Sequence, residues 1–127
     1  MTRTLHQQPR FQLRLVSGKD VVIGPGKADL LDAIGRTGSI SSATREMGLS
    51  YKKAWQLINT MNEHFAEPVI TTVSGGSQRG GAELTDFGRQ VLAQYRALQA
   101  KLANEATVET EALLGMLAPD ADPDQPQ

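Results

Sequence analysis

The sequence predicts a mainly α-helical domain with small β-hairpins at its start and near its middle. Three observations predict it. A short serine-rich segment, a glycine and a second apolar-periodic segment follow one another within "GSISSATREMGLSYKKAWQLINTMN" (38–62). A β-branched run, "VITTV" (69–73), is followed by the glycine-rich "SGGSQRGG" (74–81) and then "AEL" (82–84). Beyond these, apolar residues recur at three- and four-residue steps from Phe87 to Leu102.

Residues 1–10 are polar and expected to be flexible. "FQLRLV" (11–16) alternates apolar and polar residues, the period of a half-buried strand. "SGKD" (17–20) supplies a turn and "VVI" (21–23) the returning strand. "GPG" (24–26) breaks that strand. A helix follows with Leu30, Leu31 and Ile34 on one face and Ala33 beside them; Gly35 and Gly38 weaken and end it. Ser39 or Ser41 caps a short second helix over about Ser41–Met47, because a short hydroxyl accepts from unpaired backbone N–H groups. Gly48 suits the left-handed position after that helix. Ser50 caps a third helix to about Phe65, with Ala54, Ile58, Met61 and Phe65 on one stripe, Leu57 flanking it and Leu49 plugging the core. Thr85 caps a long last helix with Phe87, Val91, Leu92, Tyr95, Leu98 and Leu102 on its apolar side. Leu113, Leu114 and Leu117 close the helical region, and "APDADPDQPQ" (118–127) is too acidic and proline-rich to bury a core. Three helices followed by a β-hairpin describe a winged helix-turn-helix. The expected organisation is a flexible 1–10, a winged domain over 11–102, a helical extension over 103–117 and a disordered acidic tail over 118–127.

The net charge of −1 conceals a segregation. Residues 1–101 carry all 13 Lys and Arg against 8 Asp and Glu, and the remaining residues carry only acids. A basic body with an acidic tail suits a polyanionic partner. The face of the third helix opposite its apolar stripe holds Lys52, Lys53, Gln56 and Asn59, with no carboxylate before Glu63. Lysines suit phosphates or guanine, amides suit adenine, and serines such as Ser41 and Ser50 suit the DNA backbone. A polar helix face is ordinarily a solvated one. The helix–glycine–helix spacing, the acid-free face and the wing pattern together point instead to double-stranded DNA. Trp55 is expected to pack between helices. Tyr51 is left open between packing and a phosphate contact. Arg79, at the wing tip, can reach DNA or belong to an inert hairpin tip.

Other chemistries find little support. The chain has no cysteine, which excludes disulfides, thiolate metal sites and a cysteine nucleophile. His6 and His64 lack a ligand-spaced partner, so no metal or cofactor is expected. "SGGSQRGG" and "GPGK" (24–27) lack the Gly-Lys-Ser/Thr ending of a phosphate-binding loop. No nucleophile, base and orienter combination stands out, and no enzyme is expected. No apolar run approaches roughly 18 residues and no secretory signal opens the chain, so a cytoplasmic protein without a membrane anchor is expected.

The chain resembles the DNA-binding domain of the molybdate-responsive (ModE-type) transcriptional regulators, themselves similar to the LysR-type helix-turn-helix. The resemblance is carried by "IGPGKADLLDAI", "TGSIS", "GLSYKKAW" continuing to "MN", the wing "GGSQRGGAELT" and "LTDFGRQVL", over about residues 11–102. It implies a winged helix that dimerises through its helical parts, here the long last helix, and binds a two-fold operator with Ser50–Phe65 as recognition helix. Full-length members carry oxyanion-binding domains after the DNA-binding domain. The expectation is a short, stand-alone member linked to molybdenum or oxyanion metabolism but lacking that domain, with an unknown effector. The alternatives are a protein-interaction module on a winged-helix scaffold and an oxyanion-binding or storage protein.

Overall fold

The computed structural model describes residues 10–73, 81–105 and 107–119. The expected flexible N-terminus and acidic tail lie outside these residues except for their inner edges, as does the tip of the wing.

The chain opens with the antiparallel pair β1 (Leu15–Ser17) and β2 (Asp20–Ile23), turned at Gly18 with φ 59°. The first strand is shorter than the alternation over 11–16 predicts. The Tyr95 hydroxyl donates to the Leu13 carbonyl at 2.7 Å, so the preceding segment is tied to a distant helix instead of to β2. The pairing slips between Leu15 and Val16, and both side chains remain more than half exposed.

Helix α1 (Pro25–Thr37) begins with Pro25, whose missing N–H costs nothing in a first turn. It buries Ala28, Leu30, Leu31, Ala33 and Ile34 and ends at Gly38, φ 73°, whose N–H donates to the Ile34 carbonyl. Helix α2 (Ile40–Met47) starts one residue earlier than expected. Ile40 is a core residue, so it must lie within the first turn. Ser39 is therefore the cap, accepting from the Ser42 N–H at 3.1 Å, and Ser41 is an exposed first-turn residue. Gly48 takes the left-handed conformation that the tight turn requires. Helix α3 (Tyr51–His64) buries Ala54, Ile58 and Met61. Phe65, the next residue on that stripe, falls just past the helix and meets Phe87 edge to face.

Strands β3 (Ile70–Val73) and β4 (Gly81–Leu84) form the antiparallel wing. The Ala82 N–H donates to the Gly38 carbonyl at 3.0 Å, and Ser39 bridges to Gly81. The wing is thereby fastened to the link between α1 and α2. Helix α4 (Asp86–Asn104) follows, capped by Thr85, and α5 (Val108–Gly115) is capped by a reciprocal Thr107–Thr110 box. The fold is a winged helix-turn-helix, mainly α with two small hairpins.

Leu30, Leu31, Ile34, Ile58, Met61 and Val69 fill the centre, joining α1, α3 and the entry to the wing. Each such side chain contributes about 1.5–3 kcal/mol by leaving water. A polar bond locks the same junction: the Asn62 Oδ1 accepts the Val69 N–H at 2.8 Å. Asn62→Ala leaves that N–H unpaired beside a fully buried residue. It is expected to cost about 1–3 kcal/mol. Urea denaturation reads the loss, and Asn62→Asp, which keeps the acceptor, should recover part of it.

Candidate nucleic-acid interface

Helix α3 is held by its buried stripe, so its opposite face is presented outward. Lys52, Gln56, Asn59 and Glu63 lie along one line at three- and four-residue steps, and all four are exposed. Lys53 stands beside the first of them, also exposed. The structure therefore brings Lys52, Lys53, Gln56 and Asn59 onto one surface, carboxylate-free until Glu63. Ser50 stands at its leading end. Its Oγ accepts the Lys53 N–H at 3.0 Å, which leaves the hydroxyl hydrogen able to donate outward.

The aromatic pair separates into two roles. Trp55 is half-buried and packs on the core cluster. Tyr51 is 51% exposed and meets Trp55 edge to face, centroids 6.4 Å apart. Of the two options its sequence position left open, packing is seen against Trp55, while the rest of the side chain faces solvent. Ser41 sits apart from the α3 row in the chain, in the first turn of α2. Its carbonyl accepts the Thr44 hydroxyl at 2.7 Å, and its own side chain makes no hydrogen bond among the described residues. Arg79 lies outside the described residues.

The supports of α3 are electrostatic as well as apolar. Arg36 of α1 reaches Asp32 at 3.1 Å and clasps Glu46 of α2. The hydrogen bond from Arg36 holds the Glu46 carboxyl below its ordinary range and raises the guanidinium above its own. At the far end of α3, His64 Nε2 lies 2.9 Å from the Asp20 carboxylate of β2. The N-terminal hairpin is thereby pinned alongside α3. Sequence reasoning missed the consequence. Lys27 of α1 lies within electrostatic reach of Lys53, Arg14 and Asp20. Burial first, then Lys53, pushes its pKa down; Asp20 opposes them. A lysine after "GPG" and an arginine inside an alternating run carry no periodic signal that would have joined them to α3.

Among the described residues no cluster of three or more His, Asp or Glu side chains is placed to hold a metal ion, and no helix is long and apolar enough to cross a membrane.

The model of the bacterial regulatory helix-turn-helix proteins of the lysR family matches residues 27–89. Those residues are a LysR-family helix-turn-helix domain. The domain match runs from the first turn of α1 through α2, α3 and the wing to the first turn of α4. The chain is 46% identical over 92 residues to the molybdenum transport protein ModE of Azotobacter vinelandii, covering 71% of this chain and 34% of the relative. It is 51% identical over 81 residues to the molybdenum-pterin-binding protein MopB of Rhodobacter capsulatus, covering 64% and 30%. It is 34% identical over 91 residues to the DNA-binding transcriptional dual regulator ModE of Escherichia coli (strain K12), covering 72% and 35%. The chain spans about a third of the length of these relatives. In this LysR-family domain, α2, the Gly48 turn and α3 are the helix-turn-helix proper, and β3 with β4 is the wing.

Proposed function

We propose that this chain is a sequence-specific, DNA-binding transcriptional regulator that acts as a dimer in the cytoplasm, without enzymatic activity, and that it serves molybdenum or oxyanion metabolism. The observation that carries the reading is the exposed row Lys52, Lys53, Gln56 and Asn59 on the helix that follows the Gly48 turn, backed by three fully buried side chains of the same helix. The lysR-family match and the relatives named as ModE and MopB support the regulatory role and the link to molybdenum. In this reading α3 lies in the major groove. Lys52, Lys53, Ser50 and the exposed edge of Tyr51 hold phosphates, Ser41 and Arg79 approach the backbone beside them, and Gln56 and Asn59 address base edges.

Selection from a random duplex library tests the reading. A two-fold sequence enriched by the protein, with neighbours in the source genome that handle molybdate, is the supporting result. No binding to any duplex at low salt refutes it and leaves a protein-interaction module. If Gln56 or Asn59 reads a base, its alanine variant should lose roughly 1–3 kcal/mol of discrimination at one operator position and little elsewhere. Competition titrations with single-base operator variants would measure this.

The dimer reading rests on exposed apolar surface. Leu98 and Leu102, one turn apart on α4, are about half exposed, and Val108 and Leu113 of α5 and Met116 just past its end are still more so. A second copy covering this surface would set two α3 helices about 34 Å apart, one turn of DNA. The double variant Leu98→Glu, Leu102→Glu should sediment as a monomer at concentrations where the wild type is dimeric. A monomeric wild type would remove the dimer from the proposal.

A further inference from the structure

Arginines in the described part of the molecule are engaged by the protein itself. Arg36 binds Asp32 and Glu46, Arg45 the Ser42 hydroxyl, Arg89 Asp86 and the Leu84 carbonyl, and Arg96 Asp29 and Gln99; Arg10 also has an interaction partner. Arg14 is the exception. It makes no ion pair or side-chain hydrogen bond among the described residues, and neither do Lys27 and Lys53. These three come from three different elements: the segment entering β1, the first turn of α1 and the first turn of α3.

Their convergence has a structural cause. The Arg14 side chain lies across Gly24, its Cγ and Nε 3.2 and 3.6 Å from the point a Cβ on that buried glycine would occupy. It is thereby folded back toward the start of α1. Residues 53, 57, 60 and 64 form one line along α3 by helical spacing. The His64–Asp20 contact fixes β2 at the far end of that line, and Lys27 sits within reach of both Asp20 and Lys53. The hairpin and α1 therefore run beside α3 on the flank next to its Lys52, Gln56, Asn59 face. Among the described residues Asp20 is the carboxylate whose charge acts on Lys27, and His64 is its hydrogen-bond partner. The charges of Lys53 and Arg14 both oppose a positive charge on Lys27. A polyanion relieves that repulsion, and it does so along a track, not at a point.

We propose that Arg14 and Lys27 form, with Lys53, a second set of phosphate contacts that carries the α3 interface onto the N-terminal hairpin and the first turn of α1. The ligand is the sugar-phosphate backbone of duplex DNA flanking the groove that α3 enters. The inference rests on the reading of α3 as recognition helix. It assigns the hairpin, which lies outside the matched helix-turn-helix residues, a share in binding strength and none in base choice.

The test is a salt titration of the full chain with a fluorescent duplex, read by anisotropy. Wild type is compared with Arg14→Gln, Lys27→Met, Lys53→Ala and, as a control on α4, Lys101→Ala. Lys27→Met keeps the half-buried stem and removes the charge, Lys27→Arg restores the charge, and thermal melts confirm that each variant folds. Each lost contact should make the slope of log K against log salt shallower by about 0.9, equally for random and selected DNA. Lys27→Arg should recover it and Lys101→Ala leave it unchanged. Wild-type slopes for Arg14→Gln and Lys27→Met beside a reduced slope for Lys53→Ala overturn this inference alone. Failure of the wild type to bind duplex DNA overturns the recognition-helix reading and this inference with it.

Discussion

Gly88→Ala is expected to destabilise the domain by about 3 kcal/mol, the upper part of the range for overpacking a rigid site. A Cβ at position 88 would stand 2.1 Å from the Val69 carbonyl oxygen and 2.9 Å from its carbon. Both obstacles are backbone, so no rotamer change relieves them. The local effect runs the other way, since alanine is favoured over glycine in a helix by about 1 kcal/mol. The clash decides the sign because the junction is held from several directions. The Thr85 Oγ1 accepts the Gly88 N–H at 2.8 Å and donates to the Pro68 carbonyl at 2.7 Å. The Thr85 N–H donates to the Val69 carbonyl at 3.0 Å. Separating α4 from residue 69 loosens all three. Urea denaturation measures the effect; a variant as stable as wild type would mean that the start of α4 does not press on Val69 as described.

The double variant Lys52→Ala, Lys53→Ala should bind DNA about a hundredfold more weakly at 0.1 M salt, from roughly 0.9 units of salt slope per lost phosphate contact. The loss should be similar for every duplex, because phosphate contacts carry no sequence information. Folding should be unaffected, since both side chains are exposed and neither is ion-paired among the described residues. The Lys53 backbone N–H that Ser50 caps remains in the alanine variant. An unchanged salt slope would remove α3 from the phosphate contact surface. A large loss on one duplex only would transfer the lysines from backbone contact to base reading.

Much of this architecture is local chemistry and was legible in the chain. Gly38 and Gly48 stop helices because each takes positive φ at no steric cost, and Ser50 and Thr85 start them because a hydroxyl can reach an unpaired N–H three residues on. The lysine and amide row on α3 follows from 3.6-residue periodicity once Ala54, Ile58 and Met61 are buried. The choice between Ser39 and Ser41 was not legible. Both are chemically competent caps, and burial of Ile40 against the core selects the first. The strand expected over 11–16 begins only at Leu15 for a similar reason. Its alternating pattern describes a half-buried strand, but Tyr95 claims the Leu13 carbonyl from another part of the chain.

"LTDFG" and "MN" mark the same division. As strings they suggested a family; in the fold they explain themselves through Val69, whose N–H meets Asn62 and whose carbonyl faces Thr85 and Gly88. By itself the sequence determined the order of the main helices, the caps Ser50 and Thr85, the wing and the outward polar row of α3, because each depends on neighbours within a few residues. Only the tertiary structure decided which serine begins α2, how closely α4 approaches residue 69, and that Arg14 and Lys27 gather beside Lys53. Those depend on contacts between residues far apart in the chain, where periodicity carries no information and packing chooses the partner.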